Sequence, residues 1–200
     1  MRVSKEKAAE NRQRIVEAAA RLFKERGIAA TGVDSITSAA GLTHGAVYSQ
    51  FGSKEAIAID SIRQALRSSI KVWLRVLAKK GKKKSLPAIV ESYLSPAHRD
   101  APGRGCVIAA LGGDISRQPL SVREAFTKEF VAVLEFLTEL IASDDSSIGE
   151  DEALAAFASM TGALVLSRAV TDDALSERIL RAATKWIEAR AANGRLSEGR

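Results

Sequence analysis

Bond-making chemistry needs a nucleophile with a base, paired carboxylates, or a cluster of metal ligands. The sequence of 200 residues holds one Cys, Cys106, and two His, His44 and His98, in separate segments. Cys106 and His98, eight residues apart across a stretch containing Pro and Gly, form the one conceivable dyad, and no third group stands ready to orient it. The acidic pairs Asp144–Asp145 and Asp172–Asp173 have the form of caps and turns, whereas a metal would want more ligands at fixed spacing. No catalytic residue, cofactor or metal is therefore expected. Cys106 has a different possible chemistry. Arg104 precedes it and a short helix starts at it, where amide dipoles lower a thiol pKa. Such a thiol would sense oxidants or electrophiles, and with no second Cys it is limited to sulfenic acid, adducts or an intermolecular bond. The plainer alternative is a small buried Cys packed against Val107 and Ile108.

The chemistry better represented is recognition of a polyanion. Formal net charge is +6, unevenly spread: residues 1–85 hold 18 Lys and Arg against 7 Asp and Glu, and residues 86–200 hold 12 against 17. The N-terminal part should meet a polyanion and the C-terminal part should not, with nucleic acid ahead of an anionic membrane surface. A run of Lys79, Lys80, Lys82, Lys83 and Lys84 around Gly81 reads as a solvated loop, because no reading element stands beside it. Composition points to helices: 46% apolar residues, 5% aromatic, 4 Pro and 34 Ala suit packed helices better than β-strands. The largely apolar stretch Ala153 to Ser167, without a charged residue, has 15 residues, short of the roughly 18–20 that cross a bilayer, so a buried helix is expected there. The charged N-terminus leads into no apolar region resembling a secretory signal, and a lone Cys forms no internal disulfide. A cytoplasmic protein without membrane contact is the expectation.

Helical periodicity covers the chain. Between Glu10 and Arg26, Ile15, Ala18, Ala19, Leu22 and Phe23 form an amphipathic stripe, and Gly27 follows as its stop. Thr31 to Asp34 has the capping-box form, and Val33, Ile36 and Ala40 share one face of a short helix closed by Gly41. Thr43 caps a third helix, His44 to Gln50, with Val47 and Phe51 inward. After Gly52 and Ser53, a fourth helix carries Ile59, Ile62, Leu66, Ile70, Trp73, Leu74 and Leu77 in period. A helix from Ser85 ends before Pro96, and Pro96 to Gly105 reads as loop. Cys106 to Ile115 is a short helix weakened by Gly112 and Gly113. Ser121 to Glu124 is a capping box opening a long helix to Ala142, with Ser143 to Gly149 as the turn after it. Two helices remain: Glu150 to Val170, and Ala174 to Ala192 with Ile179, Ala182, Ala183, Trp186 and Ile187 on a stripe. The sum is an all-α fold of about nine helices, with no strand and no repeat.

Two short helices joined around a Gly inside a basic region have the sequence form of a helix-turn-helix, although a plain helical corner gives the same pattern. The residues Ile15 to Phe23, Gly27, Thr31, Val33, Ile36, Ala39 to Leu42, Gly45, Tyr48, Phe51, Lys54 and Glu55 resemble the TetR-type transcriptional regulators. The segment Asp34 to Ser38 is more hydroxyl-rich than most in that family. The resemblance implies a three-helix head at residues 9–69 that binds double-stranded DNA. Residues 70–200 would then form a helical bundle holding an effector pocket and a dimer interface.

On the exposed face of the third helix, His44 and Gln50 are placed to bond base edges and Ala46 to meet a thymine methyl. Thr43, Tyr48 and Ser49 reach more naturally to phosphate oxygens. Gly45 permits close backbone approach. Lys54, with the amides opening the fourth helix, is a phosphate site, and Thr31 and Gly32 at the second helix offer another. The resemblance supports Tyr48 and Lys54 as backbone contacts. The plainer alternatives are a merely exposed His44 and a core Tyr48.

A short reading helix covers few base pairs, so two copies on a two-fold site must supply affinity. Ala155, Ala156, Ala158, Ser159, Gly162 and Ala163, beside Leu164 and Leu166, are the candidate dimer surface, with intrachain core as the alternative. Candidate lining for a pocket taking a small-molecule effector is Trp73, Leu77, Tyr93, Ile108, Leu111, Phe126, Phe130 and Leu134, with simple core as the alternative. The expected protein is not an enzyme. It is a homodimeric DNA-binding repressor released by an effector or, alternatively, by modification of Cys106. A helical adaptor without DNA binding is the competing class.

Overall fold

A computed structural model describes residues 5–80, 85–142 and 149–194. Gly81 to Lys84 of the basic run, and the turn with Asp144–Asp145, lie outside the described residues. Among those described there are ten α-helices, one 3-10 turn at Pro102–Arg104 and no strand. The helices are α1 Lys5–Arg26, α2 Val33–Ala40, α3 His44–Phe51, α4 Lys54–Lys80, α5 Ser85–Tyr93, α6 Pro96–Arg99, α7 Val107–Ile115, α8 Leu120–Ala142, α9 Glu150–Ala169 and α10 Asp173–Gly194. No described helix is long and apolar enough to cross a membrane.

Packing divides the chain into two compact units, Met1–Arg67 with Pro102–Glu129, and Ser68–Ala101 with Phe130–Arg200. The border in α4 falls two residues before the one expected after residue 69. The segment Pro102–Glu129 joins the first unit through contacts far apart in sequence, which helical period does not encode.

In the first unit, Ile15, Val16, Ala19, Leu22 and Phe23 of α1 pack with Ile36 and Ala40 of α2, Val47 of α3 and Ile57, Ala58 and Ile62 of α4, all of them buried. Gly27 ends α1 at φ 84, where its N–H donates to the Phe23 carbonyl at 2.7 Å. The next amide, Ile28, donates to Asp114 Oδ2 on α7 at 2.6 Å. Gly41 turns α2 into α3 at φ 62. The expected capping box at Thr31 does not form. The N-cap of α2 is Gly32, without a side-chain cap, because the Thr31 hydroxyl is drawn inward to donate to the Gly27 carbonyl at 2.7 Å. The box expected at Ser121 is also absent. The Pro119 carbonyl opens α8, and Ser121 donates instead to the Glu55 carboxylate.

Along α4 the buried face is Ile57, Ser61, Ile62 and Leu66, then Trp73 and Leu77. Ile59, expected on that face, is only half-buried, and Leu74 is exposed. Ser53 caps α4, its hydroxyl accepting from Ala56 N at 3.1 Å. Arg67 on α4 donates two hydrogen bonds to the Glu129 carboxylate on α8, at 2.7 and 2.6 Å. Glu129 is buried there.

In the second unit, the stretch expected to be loop between Pro96 and Gly105 begins with the four-residue helix α6. Ser95 caps it, and Arg168 of α9 donates to its closing carbonyls, His98 at 2.8 Å and Arg99 at 3.0 Å. A distant arginine adds to the local cap. The uncharged stretch in α9 is not buried all round. Ala153, Phe157, Met160, Ala163, Leu164 and Ser167 face inward, whereas Leu154, Val165 and Leu166 stay exposed. On α10 the buried residues include Ser176, Leu180 and Ile187, while Trp186, expected on the inward stripe, is 48% exposed.

Candidate nucleic-acid interface

The second and third helices are a helix-turn-helix: eight residues each, joined through Gly41, Leu42 and Thr43. Each half is fixed by few groups. Ile36, Thr37 and Ala40 anchor α2, and Val47 alone of α3 is buried. Thr43 caps α3, its hydroxyl and its carbonyl both receiving the Ala46 amide, at 3.4 and 3.0 Å. Because α3 buries one side chain, the rest of its surface is open. Thr43, His44, Gly45, Tyr48 and Ser49 are exposed, and Ala46 and Gln50 half-buried. Tyr48, at 45% exposure, is not a core residue.

Local contacts order this open row. The His44 and Tyr48 rings lie 4.7 Å apart, and His44 Nε2 stands 3.1 Å from Asp34 Oδ1 on α2. Ser49 donates to the Ala46 carbonyl at 3.0 Å. A Cβ added at Gly45 would meet nothing within 4 Å, so no packing inside the protein demands glycine there. Lys54, half-buried, donates through Nζ to the Ala29 carbonyl at 3.2 Å, which holds the start of α4 to the α1–α2 connection. Gly32 is exposed at the start of α2. Thr31 is 1% exposed, so its side chain is a structural part of the turn and not a surface contact.

Two residues of this region that spacing did not single out are Arg12 and Asp34. Arg12 of α1 donates to the Gln50 carbonyl, pairs with Asp60 and covers the Phe51 ring. Nothing in the apolar stripe of α1 marks it. Asp34 carried a signal, but as a cap.

The residues expected to line an effector pocket fall into both units. Ile108, Leu111 and Phe126 belong to the first, Trp73, Leu77, Tyr93, Phe130 and Leu134 to the second. In the second unit the rings of Trp73, Tyr93 and Phe130 each lie 6.0 Å from Phe157, a hub that the expected lining omits. A surface cleft of about 440 Å³ between the ends of α5 and α6 and the side of α10, lined by residues such as Leu94, Leu180 and Thr184, shares no residue with that lining. Cys106 is 8% exposed at the N-cap of α7, and the other member of the conceivable dyad, His98, sits in the second unit with Nδ1 2.7 Å from the Tyr93 carbonyl. Among the described residues no group of three His, Cys, Asp or Glu is placed to hold a metal.

Residues 15–60, which span α1 to the start of α4, match the family model of the bacterial regulatory proteins, tetR family. Over this segment the chain is similar to the TetR family. Over 67 residues it is 40% identical to the HTH-type transcriptional regulator TtgR of Pseudomonas putida, 32% of either chain. Over 112 residues it is 30% identical to the HTH-type transcriptional repressor DhaR of a Mycobacterium species, 55% of this chain and 54% of the other. The matches thus span about a third of TtgR and about half of DhaR. A TetR-family regulator from Cytophaga hutchinsonii has the same fold at a TM-score of 0.77 and 22% identity, over 94% of this chain and 98% of that one. The reduced form of E. coli NemR matches at 0.76 and 18%, over 90% and 96%. The TetR fold therefore extends beyond the head, where sequence likeness fades.

Proposed function

We propose that this chain is a sequence-specific DNA-binding transcriptional regulator, a homodimeric repressor that leaves its operator when a small molecule binds. The observation that carries the reading is the open row on α3. A helix of eight residues that buries only Val47 turns hydrogen-bonding and small side chains outward, with the size and chemistry a major groove accepts. His44 and Gln50 read base edges, Ala46 meets a methyl, and Thr43, Tyr48, Ser49 and Lys54 face the phosphates together with the amides near Gly32. The net positive balance of residues 1–85 supplies the attraction to duplex.

Dimerisation is supported by the uncovered side of α9 and α10. Leu154, Val165, Leu166, Leu175 and Trp186 are all exposed there, beside exposed Ala155, Ala158 and Gly162. Exposed large apolar side chains gathered on two helices support an association surface there. Ala163 and Leu164, expected on it, point inward instead. For the effector, the ring cluster around Phe157 is the proposed wall, with Trp73, Tyr93 and Phe130.

Selection of bound sequences from a random duplex pool tests the reading. The expected product is a two-fold symmetric site with half-sites about 34–36 Å apart or a multiple of it, bound with an affinity that falls steeply as salt rises. No enrichment at low salt sinks the proposal in favour of an adaptor. His44→Ala should change the enriched bases, whereas Tyr48→Ala and Lys54→Ala should weaken binding to all duplexes alike.

A second reading, release by modification of Cys106, is favoured by the thiol's place at the N-cap of α7 and by the likeness to NemR, known in a reduced form. Treatment with an electrophile separates the two: loss of duplex binding in wild type but not in Cys106→Ser supports the thiol route.

A further inference from the structure

The reading helix is held at its two ends by different means. Thr43 fixes the first end. At the other, Arg12 reaches across from α1: Nη1 donates to the Gln50 carbonyl at 2.8 Å, Nη2 donates to the Asp60 carboxylate on α4, and the guanidinium lies over the Phe51 ring, 4.0 Å from its centroid. Gln50 and Phe51 are the last two residues of α3. The closing carbonyls of a helix have no donor within it and carry the negative end of its dipole, so a cation placed there satisfies both.

We propose that Arg12 is a positioning residue for DNA recognition, fixing the tilt at which α3 enters the groove by tying its C-terminal end to α1 and α4. The inference rests on the DNA-binding reading above. Apolar packing cannot set that tilt alone, since Val47 is the one buried side chain of α3, and a two-turn helix pinned at one buried point can rock about it. A planar guanidinium serves a carbonyl, a carboxylate and a ring face at once. The ammonium of lysine is a point charge and does not.

The test compares wild type, Arg12→Lys, Arg12→Ala and Asp60→Asn as whole proteins. It measures affinity for the duplex selected from the random pool and for that duplex with one base pair changed, over a range of salt, beside thermal melting. Arg12→Lys is expected to melt near wild type and to lose about tenfold or more in affinity for the selected duplex, the size of a lost charge-assisted hydrogen bond. It should also narrow the gap between the two duplexes and keep the salt slope. Asp60→Asn should show a smaller loss of the same kind. If Arg12→Ala fails to fold, Arg12→Lys decides. Full affinity with lysine overturns the inference, because charge alone then suffices. A salt slope reduced by about one phosphate overturns it too, since Arg12 would be touching DNA directly. Absence of any duplex binding by wild type overturns the DNA-binding reading and takes this inference with it.

Discussion

Single residues on α3 separate what the protein needs for itself from what it offers outward. Gly45 is the sharpest case: with helical backbone and nothing within 4 Å of an added Cβ, alanine there costs the fold nothing and gains up to about 1 kcal/mol of helix propensity. Gly45→Ala is therefore expected to melt at or above the wild-type temperature while binding duplex more weakly, because the extra methyl stands where the groove must come close. Equal affinity for duplex in a titration would remove Gly45 from the interface. Much of this row was legible beforehand, since Thr43, His44, Tyr48 and Ser49 follow from where the helix starts and which side Val47 takes. Thr31 was not, because its hydroxyl has two possible partners, the amides of the next helix or the carbonyls of the last turn. Burial beside Leu22 and Gly27 decides for the carbonyls. Arg12 was equally hidden, as its partners lie 38 and 48 residues away.

Helices meet through a few charged groups whose loss should be measurable. Asp114 on α7 accepts the amide of Ile28 just past the end of α1, so Asp114→Ala leaves that donor unpaired. A loss of about 1–3 kcal/mol is expected in urea denaturation, as for other charge-assisted bonds, and Asp114→Asn, which keeps an acceptor, should lose less. A second tie is Arg67 with Glu129. The two hydrogen bonds from Arg67 hold the Glu129 carboxyl below the usual carboxylate range, against the burial that pushes it up. Since the folded carboxyl is the more acidic, its stabilising effect is complete above the ordinary glutamate value and fades as pH falls through the lowered one. Calorimetric melting should thus decline in acid below roughly pH 4.3, and less steeply for Glu129→Gln than for wild type. The helices themselves were readable from the 3.6-residue period. Their phases and ends were less so. Capping residues with a choice of partner, such as Ser121 and Thr31, took the tertiary one, and α6 gains Arg168, from a helix far along the chain, beside its local cap.

At the scale of the whole molecule, the proposed pairing of two copies rests on large apolar side chains left exposed on α9 and α10. Leu166 and Trp186 are 57% and 48% exposed, on helices whose other faces are well buried. Leu166→Glu and Trp186→Glu are each expected to shift the sedimentation coefficient from dimer toward monomer at micromolar concentration without loss of helical circular dichroism, and duplex affinity should fall with it. An unchanged coefficient would place the pairing surface elsewhere. The composition of α9 announced an apolar helix, but which side stays bare is settled by tertiary packing around Phe157 and Leu164. The discontinuous makeup of the first unit has its own consequence. Pro102–Glu129 belongs to it, so the polypeptide leaves this unit along α4, returns to it before the 3-10 turn and leaves it again along α8. A gene fusion that grafts only the first 67 codons onto a foreign sensor would therefore arrive without the anchor for its opening turn. Chimeras of this chain should be spliced at three seams, one in α4, one before the 3-10 turn and one in α8, for the graft to keep its shape.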